Sequence, residues 1–446
     1  MGSRSRQPHQ EQLVSPNDHT LTSIEICAGA GGQAIGLHQA GFKHLALVEI
    51  DQYAVATLEE NIERLEKWSW ERDYCDVISG DVNEFLPLPV PGNSESGLKK
   101  PVGFLGGPLS EGDLDLLAGG VPCPPFSHAG KQLGKDDERD LFPRMLELVD
   151  ELRPKAVMIE NVRGIKDAKF EDYRTYIEAR LQGGRAKRPE TGIEEDFEGF
   201  GYEVCEWEVL EASDFGVPQL RPRAVLVAIR TDVLGDLKFV WPTATGGPKS
   251  VFEALGESME SRYQPYLKGG GDIAELAEKC LENWREKASK AAVEKKDGGV
   301  APTLVGGSKK HGGADLGPSR AKAAWSQLGV SGMGVANDHD LGEAKKSQGR
   351  DLFGPDGPML TVEQASIIQG FPADWKFTGG KTAQYRQVGN AFPPPVAKAV
   401  GQAIADVLRA AHERDERAKE EPLASLPGQS AAAPADRVED RRGAGV

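Results

Sequence analysis

The sequence predicts an α/β protein in which an open parallel sheet is accompanied by a second, smaller domain. Three observations support this fold class. Short apolar strand patterns alternate with helical patterns from residue 21 to about residue 232. A glycine-rich turn joins the first strand to the first helix. From about residue 232 to 357 the chain becomes rich in Gly and Lys and loses the strand pattern, a change typical of a domain boundary.

Bulk composition narrows the class of protein. A chain of 446 residues with 39% apolar content can bury a sizeable core. Five cysteines, an odd number without paired short spacing, argue against a disulfide framework and against a zinc or other metal site. No apolar run approaches the roughly 18 residues of a membrane span, and residues 1–20 are polar. We therefore expect a cytoplasmic protein, without a membrane partner and monomeric, that begins with a disordered arm over 1–20.

Charge gives a mixed signal about nucleic acid as a partner. The net charge of −16 argues against a polyanionic ligand, because binding nucleic acid depends on neutralising phosphates. Residues 301–350 nevertheless carry seven Lys or Arg and four Asp or Glu, a local charge of +3. A solvated surface explains such a run equally well.

The first strand pattern, 21–26, leads into the turn 28–32, which contains Ala28, Gly29, Gly31 and Gly32. A helical pattern follows and ends at Gly41. Backbone amides at such a turn bind the polar end of a cofactor, and the missing side chains allow close approach. The pattern also satisfies the dinucleotide fingerprint, so an NAD-dependent oxidoreductase is one alternative.

Acidic residues end the next two strand patterns. Glu49 and Ile50 follow the second strand about 20 residues beyond the glycines, where a carboxylate holds the hydroxyls of a ribose. Asp81 and Val82 follow the third, where a carboxylate can read an adenine amino group. A loop-end acid or helix cap explains either residue alone. Their succession after a glycine turn favours a nucleoside site.

A cysteine framed by prolines follows the fourth strand pattern. Cys123 lies in the run Gly-Gly-Val-Pro-Cys-Pro-Pro-Phe-Ser, whose prolines prevent both strand and helix. Most lone cysteines are buried hydrophobes, but this segment forms a stiff loop at the carboxyl end of a strand, where open sheets bind ligands. Cys123 is therefore predicted to be presented to a ligand.

Two further charged motifs end strands of the predicted sheet. Glu160 follows an apolar strand within Glu-Asn-Val, and a carboxylate there is costly unless it has a partner or a function. Arg221 and Arg223 follow Gln219 and precede the most apolar strand of the chain. A surface arginine pair is the alternative.

The later chain contains a few recognisable elements. One helix is predicted at 273–295, a glycine-hinged basic loop at 306–313, and a capped helix within 360–372 that ends in Gly and Pro. Asn390 lies in Gln-Val-Gly-Asn-Ala, before an apolar helix at 396–410. The charged, Ala- and Pro-rich remainder is expected to be disordered.

These motifs, in this order, resemble those of the DNA cytosine-5 methyltransferases over residues 21–410. The resemblance covers the glycine turn, Glu49, Asp81, the Pro-Cys loop, Glu-Asn-Val, Gln-x-Arg-x-Arg, Ile-Gln-Gly-Phe-Pro and Gln-Val-Gly-Asn-Ala. Cys27 departs from the pattern because it stands where a Phe is usual. The resemblance implies a Rossmann-like, S-adenosylmethionine-dependent sheet at 21–232, a target-recognition domain at 233–382, a segment at 383–412 that completes the catalytic domain, and a tail at 413–446.

The resemblance also implies a reaction and its residues. Carbon 5 of cytosine is a poor nucleophile, so the Cys123 thiolate adds to carbon 6, Glu160 supplies a proton at N3, and Arg223 holds O2 and orients Glu160. Arg221 is expected on a phosphate. The base must leave the stack of double-stranded DNA. The residues expected to bind S-adenosylmethionine are Ala28, Gly29, Gly31, Gly32, Glu49, Ile50, Asp81, Val82 and Asn390.

Three other functions fit these residues less well. The oxidoreductase has no use for a Pro-framed cysteine beside Glu160 and two arginines. A tRNA cytosine-5 methyltransferase of the same family is closer, but the long, partly basic recognition region favours DNA. A non-catalytic DNA-binding relative is disfavoured by the intact Cys123, Glu160 and Arg223. The sequence leaves open the recognised site and a paired restriction endonuclease.

Overall fold

The computed structural model describes residues 20–122, 140–306, 314–337 and 347–420. Residues 1–19 of the predicted N-terminal arm, Cys123, the lysines of the basic loop and residues 421–446 lie outside these ranges.

A seven-stranded sheet with the order β3-β2-β1-β4-β5-β9-β8 forms the centre of the protein. The first five strands in this order run parallel, β9 pairs antiparallel with β5, and β8 pairs antiparallel with β9. A separate hairpin pairs β6 with β7. The strands are β1 Leu21–Ile26, β2 Phe42–Glu49, β3 Asp76–Ser79, β4 Leu116–Gly119, β5 Ala156–Val162, β6 Gly184–Lys187, β7 Glu194–Phe197, β8 Tyr202–Glu211 and β9 Pro222–Arg230.

The helices connect these strands and continue through the second half of the chain. They are α1 Gly32–Gln39, α2 Gln52–Arg64, α3 Ser69–Tyr74, α4 Val102–Leu105, α5 Phe142–Leu152, α6 Glu171–Gln182, α7 Thr231–Leu234, α8 Val251–Leu267, α9 Gly271–Glu294, α10 Ser319–Gln327, α11 Val362–Gln369, α12 Lys381–Asn390 and α13 Pro394–Glu420. Within the described ranges, no helix combines the length and apolar character needed to cross a membrane.

Both faces of the sheet are covered, which explains why its strands read as continuous apolar runs. In β4, Leu117 packs on the face that α5 and α6 cover, whereas Leu116 and Ala118 pack on the face that α13 covers. This division follows from the alternation of side chains along a strand. Gly36 of α1 lets α13 approach closely, since a Cβ there would lie 2.5 Å from the Cβ of Ala397. The predicted open α/β sheet is therefore confirmed.

A third apolar cluster gathers the helices of the second half of the chain. Its fully buried members include Trp284 of α9 and Trp325 of α10, and α8 contributes Leu255 and Tyr263. Tyr385 of α12 also belongs to it, although this residue falls in the segment that the sequence assigned to the catalytic domain.

Two local predictions were wrong. The sequence predicted one helix between 232 and 357, but α8 and α10 accompany α9. Gly256 and Pro265 obscured α8, whose capping box joins Ser250 and Glu253. The segment after α6 forms the β6–β7 hairpin, in which Arg185 and Glu194 make a cross-strand ion pair. Helix α13 continues to Glu420, past the predicted start of the tail at 413.

Candidate active site and cofactor cavity

The glycine-rich turn after β1 is held by Glu49 at the end of β2. The amide of Gly29 donates to Glu49 Oε2 over 2.7 Å, and the amides of Ile50 and Asp51 donate to Oε1 over 2.9 and 2.8 Å. Gly29 has a φ of 54°, a left-handed conformation that favours glycine, and no atom lies within 4 Å of the position that a Cβ would take. The turn therefore presents bare backbone beside a fixed carboxylate.

Gly31 and Gly32 serve packing as well as the turn. A Cβ on Gly31 would lie 2.8 Å from Cζ2 of Trp375, and one on Gly32 would lie 2.4 Å from the carbonyl oxygen of Phe392. The indole of Trp375 also donates to the carbonyl of Ala30 over 3.0 Å. Residues that are distant in the sequence therefore pack against the turn and hold it in place.

A cavity of about 220 Å³ opens at this turn, at the carboxyl edge of the sheet. Five of the predicted cofactor residues line it: Ala28, Gly29, Gly32, Glu49 and Asn390. Glu160 lines it as well, together with residues that the sequence analysis did not select, such as Glu25, Gln33 and Arg386.

Four of the predicted cofactor residues do not line this cavity. Gly31 packs against Trp375, and Val82 is buried at 4% exposure. Ile50 is 67% exposed. The exposed Asp81 carboxylate accepts from the amide and the side-chain nitrogen of Asn83, both over 2.9 Å, and so caps the turn after β3.

Two buried polar side chains that line the cavity have polar atoms without a hydrogen-bond partner. Glu25 is 1% exposed and its Oε2 has no hydrogen-bond partner; burial, with a smaller contribution from Glu49, holds its pKa well above the usual range. Gln33 is 4% exposed and neither atom of its amide is paired. Unpaired buried polar groups are costly, so they point to a polar ligand. The sequence did contain a signal for Glu25, because an acidic residue within an apolar strand is unusual, but Glu25 was not among the predicted site residues.

Cys27 also lines the cavity, and its backbone has a φ of 53°, which is uncommon for a residue other than glycine. Burial, followed by the neighbouring carboxylate of Glu49, raises the pKa of its thiol to about 12. The thiol therefore stays protonated and acts as a small apolar wall of the cavity.

Glu160 and Arg223 form an ion pair at one side of the cavity. Nε of Arg223 lies 2.8 Å from Oε1 of Glu160, and both side chains are nearly buried. Antiparallel pairing of β5 with β9 brings the two together, because Val162 lies opposite Arg223. Burial raises the pKa of Glu160 above its ordinary value, and the positive charges of Arg223 and Arg221 oppose that rise. The structure thus places at this edge of the cavity a carboxyl whose pKa lies above the ordinary value of a glutamic acid.

Asn161, next to Glu160, fixes the backbone that leads to Cys123. Its side-chain nitrogen donates to the carbonyl of Val121 over 2.8 Å. Gly120 passes close to the acid, since a Cβ there would lie 3.1 Å from Glu160 Oε2. Cys123 lies outside the described residues, but its attachment point at Pro122 follows directly from this anchored segment.

Arg221 occupies a different place from the exposed phosphate contact that was predicted. It is 1% exposed, and its Nη1 and Nη2 donate to the carbonyls of Leu304 and Gly389 over 2.7 and 2.8 Å. Burial, followed by the nearby charge of Arg223, lowers the pKa of its guanidinium to about 9. A guanidinium with this burial and these partners joins protein segments, because it cannot reach a phosphate in solvent.

Gln219 takes part in the same connection between the sheet and the later segments. Its Oε1 accepts from the amide of Leu304 over 2.8 Å, and its Nε2 donates to Oε1 of Gln369 over 2.7 Å. The residues of the Gln-x-Arg-x-Arg motif therefore make two different kinds of contact. Gln219 and Arg221 connect the sheet to the later segments, while Arg223 forms the ion pair with Glu160.

The sheet order and the glycine-rich turn define a Rossmann-like α/β fold. The chain belongs to the family described as C-5 cytosine-specific DNA methylase, which matches residues 21–406. It is thus a DNA cytosine-5 methyltransferase, which confirms the family predicted from the ordered motifs and sets aside the oxidoreductase alternative.

Three relatives show the extent of the similarity. M.NaeI, a type II methyltransferase of Lentzea aerocolonigenes, is 44% identical over 90% of this chain and 78% of its own length. M.NgoMIV, a type II methyltransferase of Neisseria gonorrhoeae, is 41% identical over 87% of this chain and 98% of its own length. M.PspPI, from Psychrobacter sp. (strain TA137), is 32% identical over 90% of this chain and 83% of its own length.

Proposed function

We propose that this chain methylates carbon 5 of cytosine within a specific double-stranded DNA sequence, with S-adenosylmethionine as methyl donor, as part of a restriction-modification system. The observation that carries the proposal is the Glu160–Arg223 pair at 2.8 Å beside the cavity, one strand away from the segment that leads to Cys123. The names of the relatives, type II methyltransferases, support a DNA substrate and a paired endonuclease.

The cavity suits S-adenosylmethionine, which is the source of the methyl group when bound. Glu49 is placed to accept from ribose hydroxyls, since its carboxylate is already fixed at the turn. The unpaired polar atoms of Glu25 and Gln33 suit the ammonium and carboxylate of an amino-acid end. Asn390 lines the same cavity, and Asp81 on the neighbouring turn is the proposed acceptor for the adenine amino group.

The residues of the chain supply the activation of cytosine. The Cys123 thiolate adds to carbon 6, forming an S–C bond and moving an electron pair through the ring toward carbon 5 and N3. Glu160 donates a proton or hydrogen bond at N3, and Arg223 holds that carboxyl and meets O2 of the ring. After methylation, loss of the carbon-5 proton and expulsion of the thiolate restore the aromatic ring. Because a stacked base cannot be reached on its face, the cytosine must be flipped out of the duplex.

Bisulfite sequencing tests the substrate and the recognised sequence together. DNA from cells that express the chain should contain protected cytosines at every copy of one short motif and should resist an endonuclease that cuts this motif. Unprotected DNA together with protected tRNA would instead favour the tRNA methyltransferase alternative.

We expect sequence specificity to lie in residues 233–382 and to be separable from chemistry, because the residues assigned to catalysis lie outside this span. Exchanging the span for that of a relative with a different site should move methylation to the relative's sequence. The exchange must keep residues 301–304, since the amide of Leu220 donates to Ala301 O over 2.8 Å and Arg221 binds Leu304 O. Bisulfite maps compare the two chains. Methylation that stayed at the original sequence would place recognition in the catalytic region.

The proposed cofactor residues have their own test. Glu49→Ala and Asp81→Ala should each weaken binding of S-adenosylmethionine by about 1–3 kcal/mol, the cost of a lost hydrogen bond to a charged group. Calorimetry measures this directly. Glu59→Ala, an exposed change on α2, serves as the control and should leave the affinity unchanged. Unchanged affinity for S-adenosylmethionine in both variants would show that Glu49 and Asp81 only cap the local backbone and do not bind the cofactor.

A further inference from the structure

A buried arginine on α5 supports the turn that carries Asp81. Arg144 is 7% exposed, and its guanidinium lies between α5 and the turn after β3. Its Nε donates to the carbonyl of Val82 over 3.2 Å, and its Nη2 donates to the carbonyl of Phe85 over 2.7 Å. These carbonyls begin and end the segment that immediately follows Asp81.

The charge of Arg144 is balanced from its own helix. Its Nη1 lies 2.9 Å from Oε2 of Glu147 and 2.9 Å from Oε1 of Glu151. Burying a guanidinium is costly unless it is paired and its donors are satisfied. Here the two acids hold one end of the planar fork, so the other donors point at the turn in a fixed direction.

The turn is also held by the amide of Gly80, which donates to the carbonyl of Glu49 over 3.0 Å, and by the burial of Val82 and Phe85. It is a short 3-10 segment, Val82–Glu84, in which the amide of Glu84 donates to the carbonyl of Asp81 over 3.0 Å. Asn83, which binds the Asp81 carboxylate, belongs to the same turn and moves with it. Arg144 ties the turn to a helix from a distant part of the chain.

We infer that Arg144 is a positioning residue for recognition of the adenine of the cofactor: it sets the place of the Asp81 carboxylate by holding the carbonyls of Val82 and Phe85. The inference rests on the proposed function, because it concerns the same cofactor site. A hydrogen-bond acceptor at a fixed position favours binding of a purine that carries an amino group there and disfavours binding of one that carries a carbonyl. Arg144 therefore contributes to the choice of adenine and to affinity, without touching the ligand.

The test measures binding to the full chain by calorimetry, with S-adenosylhomocysteine and with its inosine analogue, in which the adenine amino group is replaced by a carbonyl oxygen. Arg144→Met should weaken binding of S-adenosylhomocysteine about tenfold and reduce the preference for it over the inosine analogue. Arg144→Lys, which keeps one donor, should restore part of both. In combination with Asp81→Ala, the effect of Arg144→Met should largely disappear, because residues that act through one contact are not additive.

Arg230→Met is the matched control. Arg230 also binds a backbone carbonyl, that of Arg153 over 2.7 Å, and pairs with an acid, Asp232, but at the opposite end of β9 from Arg223. It should lower thermal stability without changing the ligand preference. A purely structural role of Arg144 would give the same pattern as Arg230, and would overturn the inference.

The remaining outcomes are also decisive. If Arg144→Met does not fold, Arg144→Lys takes its place, and wild-type affinity and preference in that variant would contradict the two-carbonyl arrangement. If the unmodified chain binds S-adenosylhomocysteine and the inosine analogue equally well, Asp81 does not read the purine and the inference fails while the proposed function stands. If it binds neither ligand, the proposed function itself fails, and the inference with it.

Discussion

Replacing Cys123 with alanine is expected to abolish methyl transfer while leaving the fold and the binding of S-adenosylmethionine intact. The proposed role of this side chain is confined to forming and breaking a bond to carbon 6, so no other group of the site can replace it. Transfer of labelled methyl groups to DNA measures the loss. Residual turnover within tenfold of the unmodified chain would contradict the assignment of the nucleophile.

The same step predicts a covalent complex that survives denaturation. DNA with 5-fluorocytosine at the methylated position cannot lose its carbon-5 substituent as a proton, so the thiolate should remain bound to carbon 6. Gel electrophoresis under denaturing conditions should show this adduct for the unmodified chain and not for Cys123→Ala. Cys280→Ala, a thiol of α9 far from the cavity residues in the sequence, is the control and should retain both the adduct and the activity.

Replacing Glu160 with glutamine is expected to lower the rate of methyl transfer by about 10²–10⁴-fold, because proton donation at N3 is lost while the shape of the side chain is kept. Glu178→Gln is a matched control, since burial also raises the pKa of Glu178 but this residue lies on α6 and does not line the cavity. Single-turnover rates with saturating DNA and cofactor separate the chemical step from binding. A loss of less than about fivefold would remove Glu160 from proton transfer.

The pH dependence gives an independent measurement of Glu160. The protonated carboxyl is the donor, so the rate should fall as the pH rises through the pKa of Glu160, and this alkaline decline should be absent in Glu160→Gln. Arg223 opposes the rise of this pKa caused by burial. Arg223→Met should therefore raise the pKa of Glu160 and move the decline to higher pH, in addition to lowering the rate. A decline at unchanged pH in Arg223→Met would show that another group titrates.

Local patterns in the sequence were enough to predict the sheet because each strand is a short apolar run that a turn or a helix cap ends. The positions of Glu49, Asp81 and Glu160 followed from the same reasoning, since the carboxyl ends of parallel strands share one edge. The pattern failed at α8, where a glycine and a proline weaken a helix that its capping box and its buried face stabilise.

The sequence by itself thus determined the class of fold and the family, and it supplied the candidates for the reactive groups, since these depend on residue type and short spacing. Only the tertiary structure decided what Arg221, Arg144 and the glycines of the turn contact. Arg221 joins Leu304 and Gly389, Arg144 joins α5 to the turn after Asp81, and Gly31 meets Trp375. Each contact unites residues separated by tens to hundreds of positions. Such pairings are set by the packing of whole elements and leave no local signature in the sequence. For the same reason, the sequence cannot distinguish an arginine that connects buried segments from an arginine that binds a phosphate at the surface.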